Sequence, residues 1–168
     1  MFRRRFRRSR HGVAVSLAPD EARVLRDLPT ELRRLLESGL AAGDSALDRL
    51  FPRAYLDPTE EEAEAEWQRF AHPELLAGRM AALDLLTAGL DGARKVGGRT
   101  ETLLDEEATA AWLGVLNDLR LALGARLGVT EDTDLEALDP GDPAVPALSL
   151  YGWLTELQGE LVDVLLSG

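Results

Sequence analysis

A chain of 168 residues, 45% hydrophobic and 29% charged, has the composition of a globular protein and is long enough to bury a core. It contains no cysteine, which excludes disulfides, thiolate catalysis and cysteine-ligated zinc. Its apolar runs are far shorter than a membrane span, so we expect a cytoplasmic protein with no membrane partner. We predict one helical domain over residues 1–168.

The formal net charge of −11 is unevenly distributed, because residues 1–10 hold six arginines and no acid. These are Arg3, Arg4, Arg5, Arg7, Arg8 and Arg10. Val13, Val15 and Leu17 alternate with small residues, a period of two that is typical of a strand. With Gly12 at the turn, residues 1–18 are predicted to form an arginine-rich β-hairpin, with strands near 2–8 and 13–17.

The region 19–104 carries helical periodicity interrupted by prolines. We predict helices near 19–38, 44–51, 59–70 and 74–90. Pro29 either kinks the first of these helices or starts a second one, and His72-Pro73 is predicted to separate the last two. In helix 59–70 the predicted apolar anchors are Trp67 and Phe70. The acid run is interpreted as a solvated face, and a docking site for a basic partner is the alternative. Residues 93–99 are predicted to be a loop, and Thr100–Leu104 a short third strand beside the hairpin.

Residues 105–128 form the longest helical pattern. Asp105 suits the N-cap and Gly128 the C-terminal stop, and apolar residues on two sides predict a central position in a bundle. An acidic, proline-rich linker over 129–146 and a last helix over 147–166 follow. The predicted fold is therefore mainly α, with about six helices around helix 105–128 and a small N-terminal β-hairpin.

Asn117 and Arg120 stand three residues apart within this otherwise apolar central helix, hence on one face. A polar pair in such a place needs hydrogen-bond partners. We interpret it as a polar tie that fixes helix packing, and a contact with a ligand or partner is the alternative.

Recognisable catalytic and cofactor motifs are absent, and we expect a protein that is not an enzyme and uses no cofactor or metal. His11 and His72 fall in predicted turns without metal-ligand spacing. Acids 132–136 resemble the start of a calcium loop but lack its glycine and its final glutamate. A hydrolase with a carboxylate site is an alternative, and it predicts a deep pocket lined by acids with shifted pKa values.

Three stretches together resemble an actinobacterial family of unknown function over nearly the whole chain. They are LDRLFPRAY (47–55), AWLGVLNDLRLALGARLGVTED (111–132) and LSLYGWLTELQGELVDVLL (148–166). The resemblance implies a single helical domain whose gene is often found near those for the Clp protease adaptor and a JAMM-type metallopeptidase of cysteine metabolism. Some members are described as transcriptional regulators, and the family has no defined catalytic residues.

Two functional hypotheses follow. The first is a non-enzymatic protein-interaction or regulatory module, linked through the family to protein turnover or cysteine metabolism. The second is a nucleic-acid-binding transcriptional regulator that uses the arginine-rich hairpin. The arginines themselves have three alternative contacts. They bind an acidic surface of their own chain or of a second copy in a homodimer, they bind a protein partner, or they bind nucleic acid.

Overall fold

The computed structural model describes residues 4–39, 43–135 and 139–167. Within these ranges the chain forms five α-helices and a four-stranded antiparallel sheet. The helices are α1 (Pro19–Glu37), α2 (Ser45–Leu50), α3 (Glu61–Asp91), α4 (Glu106–Leu127) and α5 (Val145–Leu166). The strands are β1 (Phe6–Ser9), β2 (Gly12–Leu17), β3 (Arg94–Val96) and β4 (Arg99–Leu104). The mainly α fold with an N-terminal antiparallel hairpin is confirmed.

The predicted count of about six helices is not confirmed, because residues 61–70 and 74–90, which were predicted as parts of two helices, belong to the single helix α3. Pro73 lies inside α3 with its ring exposed to solvent. An internal proline removes one backbone hydrogen bond and costs about 3 kcal/mol. Packing offsets this cost, since the second half of α3 buries Leu83, Leu86 and Leu90 in the core.

The sheet has the strand order β1-β2-β4-β3, with every neighbouring pair antiparallel. The predicted third strand is present as β4, which pairs with β2. The prediction of a loop over 93–99 was wrong, because residues 94–96 form the edge strand β3. Gly97 and Gly98 both have positive φ angles (54° and 78°) and join β3 to β4 in a tight turn that only glycine adopts readily.

One hydrophobic core joins the sheet to the helices. The inner face of the sheet contributes Phe6, Val13, Val15, Leu17 and Leu104 to it. Helix α4 contributes Trp112, Val115 and Leu116, and it packs against α2, α3 and α5. Its central position is therefore as predicted, and the side chain of Asp105 accepts a hydrogen bond from the Ala108 N–H at its start.

Candidate partner-binding surface

The hairpin separates its arginines into two groups according to what they contact. Phe6 faces the core, whereas Arg4, Arg7, Arg8 and Arg10 are exposed to solvent. Arg5 is half-buried. Arg3, which the sequence also marked as a candidate, lies outside the described residues.

Arg5 connects the start of the hairpin to two helices. Its Nε lies 2.5 Å from Oε1 of Glu21 in α1, and its Nη1 is paired with Glu160 in α5. Its Nη2 lies 3.8 Å from Glu156, one turn earlier in α5. Since the side chains of Arg5 and Glu21 are only 21% and 18% exposed, this pair lies largely away from solvent.

Glu21 is itself part of the helix start. Its Oε2 accepts a hydrogen bond from the Ala18 N–H at 2.8 Å, as an acidic residue in the first turn of a helix often does. Burial opposes ionisation of Glu21, but the hydrogen bonds from Arg5 and Ala18 outweigh it, so its pKa lies below the usual range. The Arg5–Glu21 contact therefore favours the charged form of both groups.

Arg8 contacts the C-terminal end of α5. Its Nη1 lies 3.4 Å from the carbonyl oxygens of Val164 and Leu165. A guanidinium at a helix C-terminus is favourable, because the last carbonyls lack partners within the helix. Arg5 and Arg8 therefore hold the hairpin against its own chain.

The side chains of Arg4, Arg7 and Arg10 make no hydrogen bond or ion pair with any described residue. The side chain of Arg94, on the edge strand β3, likewise makes no hydrogen bond or ion pair with any described residue. Arg7 and Arg94 line one groove of about 350 Å³ on the outer face of the sheet, together with Ser16, Glu101 and Leu103. Arg4 lines a separate groove beside Glu160 and Asp163 of α5, and Arg10 lies in the turn between β1 and β2. We call these four exposed arginines, Arg4, Arg7, Arg10 and Arg94, the basic face.

The outer face of the sheet is held in shape by a polar network. Arg99 donates from Nε to Ser16 Oγ at 2.8 Å and from Nη2 to the Ser16 carbonyl at 2.6 Å. Ser16 Oγ lies 3.3 Å from Glu101 Oε1, across the β2–β4 pair. Arg99 is thus bound within the sheet, while Arg94 next to it remains exposed.

The sheet brings the basic residues of segment 93–104 beside those of the N-terminal segment. Segments 1–17 and 93–104 together hold nine basic residues and one acidic residue, a formal charge of +8. The remaining 139 residues hold 10 basic and 29 acidic residues, a formal charge of −19. The contribution of residues 94–99 to this surface was not anticipated, because it depends on the pairing of β4 with β2.

Asn117 and Arg120 lie half-buried on the side of α4 that faces α5. Oδ1 of Asn117 accepts a hydrogen bond from Gln158 Nε2 of α5 at 3.2 Å and lies 3.4 Å from Arg120 Nη2. The side-chain amide of Gln158 thus supplies a hydrogen-bond partner for Asn117 from the neighbouring helix. This geometry favours the interpretation of a tie between helices.

Replacing Asn117 with alanine is expected to lower the free energy of unfolding by about 1 kcal/mol, because the Gln158 amide loses its acceptor. Urea unfolding of N117A, Q158A and the double variant measures this. A double-mutant cycle should give a coupling energy of about 0.5–1 kcal/mol. Strictly additive effects would mean that the tie does not contribute to stability.

The ion pair formed by Asp118 and Arg79 was not predicted from the sequence. Asp118 is 9% exposed, and its Oδ2 lies 3.2 Å from Arg79 Nε of α3. Burial raises the pKa of Asp118, and the Arg79 charge only partly opposes this. The Arg79 guanidinium also lies over the Phe51 ring at 5.0 Å, and that ring packs at 4.3 Å against His72. The predicted turn position of His72 was wrong, since it is half-buried within α3.

The raised pKa of Asp118 does not mark an open acid site of the kind that the hydrolase hypothesis requires. Its carboxylate is paired with Arg79 between two packed helices and is nearly closed to solvent. Across residues 4–39, 43–135 and 139–167, no three histidine, aspartate or glutamate side chains are grouped to hold a metal ion. In the same ranges, no helix has both the length and the apolarity that crossing a bilayer requires.

The molecule is thus a helical domain that carries a small sheet with a basic outer surface. Residues 3–165 match the family described as "Domain of unknown function (DUF2017)", and the chain belongs to that family. It is 34% identical over an alignment of 183 residues to the "Oxidative stress regulator AosR" of Mycobacterium tuberculosis, covering 90% of this chain and 81% of that protein. The protein of the same name from Mycobacterium bovis gives the same values. No solved structure matches the chain.

Proposed function

We propose that this chain is a non-enzymatic regulatory module that binds an acidic surface of another protein through its basic face. The observation that carries the proposal is the group of exposed arginines, Arg4, Arg7, Arg10 and Arg94, which have no described intramolecular partner on an otherwise acidic chain. The name of the mycobacterial relatives, oxidative stress regulator, supports a regulatory role.

The framework beneath these arginines supports binding as well. Arg5 and Arg8 fasten β1 to α1 and α5, and Arg99 fastens β4 to β2. A binding surface held in one shape loses less conformational entropy on association than a mobile segment does. Arg7 and Arg94 therefore belong to a preorganised sheet, and Arg4 and Arg10 lie on either side of its first strand.

A protein partner fits the surroundings of the basic face better than nucleic acid does. Val96 and Leu103, on β3 and β4, are 48% and 52% exposed, so apolar area is available next to the charges. Protein interfaces combine apolar contact with arginine, whereas a duplex presents mainly phosphate to such a surface. The formal charge of −19 on the rest of the chain would also repel nucleic acid.

A role in an oxidative stress response would have to work without thiol chemistry in this chain, because its sequence has no cysteine. Thiolates are the usual protein group for reversible oxidation. We therefore propose that the oxidant signal is received by the partner and that this chain transmits it by binding. The links to protein turnover and cysteine metabolism implied by the family resemblance stay predictions.

The proposal is tested with a variant that removes exposed charge and leaves the structural arginines in place. In the triple variant Arg4→Ser, Arg7→Ser, Arg94→Ser, Arg5 and Arg8 are retained, so folding should be unchanged. Affinity capture from host lysate should recover a protein with wild type, at least about tenfold less with the variant, and equally with or without nuclease. The matched control Arg23→Ser, Arg34→Ser, Arg49→Ser loses the same charge elsewhere and should behave as wild type.

Two results would count against the proposal. Equal capture by wild type and the basic-face variant would exclude this surface as the binding site. Recovery of nucleic acid, with loss of partners after nuclease treatment, would favour the regulator that binds nucleic acid. In that case affinity for a DNA duplex should fall steeply with salt concentration.

A further inference from the structure

Helix α3 exposes the two aromatic residues that its sequence pattern would bury. Trp67 and Phe70 were predicted to anchor residues 59–70, and that prediction was wrong: their side chains are 47% and 66% exposed. The buried position in this part of α3 is taken by Glu64, which is 5% exposed. An aromatic pair three residues apart on the outer side of a helix is a surface without a described partner.

The inward position of Glu64 has a clear physical cause. Its Oε2 accepts hydrogen bonds from the Ala54 and Tyr55 N–H groups at 3.0 and 2.9 Å, and its Oε1 accepts one from Gln68 Nε2 at 2.7 Å. These bonds satisfy the backbone of the loop that precedes α3. Because the rotation of the helix is fixed by this carboxylate, Trp67 and Phe70 are held on the solvent side.

The surface continues along the helix as a stripe of small residues. At 100° per residue, Ala63, Ala77 and Ala81 fall on the same side of α3 as the two aromatics. Ala77 and Ala81 are exposed, and the stripe from 63 to 81 is about 27 Å long. Small side chains next to two rings allow another helix to approach closely over about five turns.

The charge around the aromatic pair is strongly negative. Residues 60–74 contain six acids and a single basic residue, Arg69. Glu66 and Glu74 lie one turn before and one turn after Phe70, and their side chains contact no described cation. Arg69 already lies over the Phe70 ring at 4.9 Å, so this ring accepts a guanidinium on its face.

We infer that the outer surface of α3, formed by Trp67, Phe70, Glu66 and Glu74, is a docking site for a basic amphipathic helix of another protein. Apolar residues of that helix would cover the rings, and its arginines or lysines would meet the glutamates and extend the cation–π contact. A second copy of this chain does not supply such a helix, because its most arginine-rich helix, α1, carries five acids beside its four arginines and buries its apolar side in its own core. The site shares no residue with the basic face.

The test uses a defined probe, so it does not depend on the proposed function. The probe is a fluorescein-labelled helical peptide of about 18 residues with leucines on one face and arginines beside them. Its control has glutamate in place of every arginine. Fluorescence anisotropy should show saturable binding of the arginine peptide to the wild-type chain and none of the glutamate peptide.

Two variants of α3 and one control variant of the sheet then locate the binding. Trp67→Ser with Phe70→Ser should weaken binding by about tenfold or more. Val96→Ser with Leu103→Ser removes two similarly exposed apolar side chains from the sheet and should bind as wild type. Glu66→Gln with Glu74→Gln keeps both rings and should weaken binding severalfold, with a smaller dependence on salt. Circular dichroism and thermal unfolding check that each variant is folded.

Several outcomes would overturn the inference. One is that the arginine peptide does not bind the wild-type chain, and another is that the glutamate peptide binds equally well. Unchanged binding of the arginine peptide by both α3 variants would also contradict the inference. A wild-type dimer that becomes monomeric in the Trp67→Ser, Phe70→Ser variant would show that a second copy covers this surface instead. If the basic-face variant captured a partner as well as wild type does, the proposed function would fail, but these peptide-binding measurements would be unaffected.

Discussion

Replacing Gly12 with alanine is expected to lower the free energy of unfolding by about 3 kcal/mol or more. Gly12 begins β2 with a φ angle of +136°, a backbone conformation that residues other than glycine rarely adopt. A Cβ atom at this position would lie 1.9 Å from the carbonyl oxygen of Leu104 and 2.9 Å from its carbonyl carbon. Because the clash is with the backbone of β4, no side-chain rotation relieves it, and the β2–β4 pairing has to shift.

Urea unfolding followed by circular dichroism measures the effect, and Gly114→Ala is the matched control. Gly114 lies within α4, and a Cβ added there would meet nothing within 4 Å. Because alanine is the better helix former, the control should gain about 0.5–1 kcal/mol. A Gly12→Ala variant as stable as wild type would contradict the described approach of β2 to β4.

The second large effect is expected from Arg5→Met, which should lower the free energy of unfolding by about 2 kcal/mol at pH 7. Methionine keeps the apolar stem and removes the charge shared by Glu21, Glu156 and Glu160. The expected loss exceeds that of a surface ion pair, because the side chains of Arg5 and Glu21 are only 21% and 18% exposed. Arg23→Met is the control, since the Arg23–Asp20 pair is exposed and should contribute less than about 0.5 kcal/mol.

The pH dependence of this effect has a defined sign. The pKa of Glu21 is lowered in the folded state, so its ionised form stabilises the fold above the unfolded pKa of about 4.3. That stabilisation is lost as the pH falls through the lower, folded-state value. The stability of Arg5→Met should therefore approach that of wild type near pH 3. A difference that stayed constant from pH 7 to pH 3 would mean that Arg5 acts by packing and not by charge.

Arg5 and Arg8 form the structural part of the arginine-rich hairpin, whereas the arginines of the basic face have no described partner. Uniform replacement of Arg3 to Arg8 would remove Arg5 and Arg8 together with the exposed arginines, and a loss of binding would then follow from misfolding as well as from lost contacts. Variants at Arg4, Arg7 and Arg94 avoid this ambiguity. The tertiary contacts, not the sequence run, define the informative substitutions.

The sequence by itself determined the elements whose signals are local. Alternating apolar residues at 13–17 specify a strand, and Asp105 and Gly128 mark the two ends of α4 through capping chemistry that involves only a few neighbouring residues. The two-sided apolar pattern of α4 was enough to predict its central position, since burial on two sides leaves few other places in a bundle. The concentration of arginine at the N-terminus was equally readable.

The tertiary structure decided what depends on residues distant in sequence. Pro73 does not end a helix, because core packing of the following turns offsets its local cost. Trp67 and Phe70 face solvent, because the bonds of Glu64 to the backbone at Ala54 and Tyr55 set the rotation of α3. Likewise Arg94 joins the N-terminal arginines only through the pairing of β4 with β2. Local propensity cannot encode such long-range choices, which are fixed by the packing and hydrogen-bond partners that the whole fold supplies.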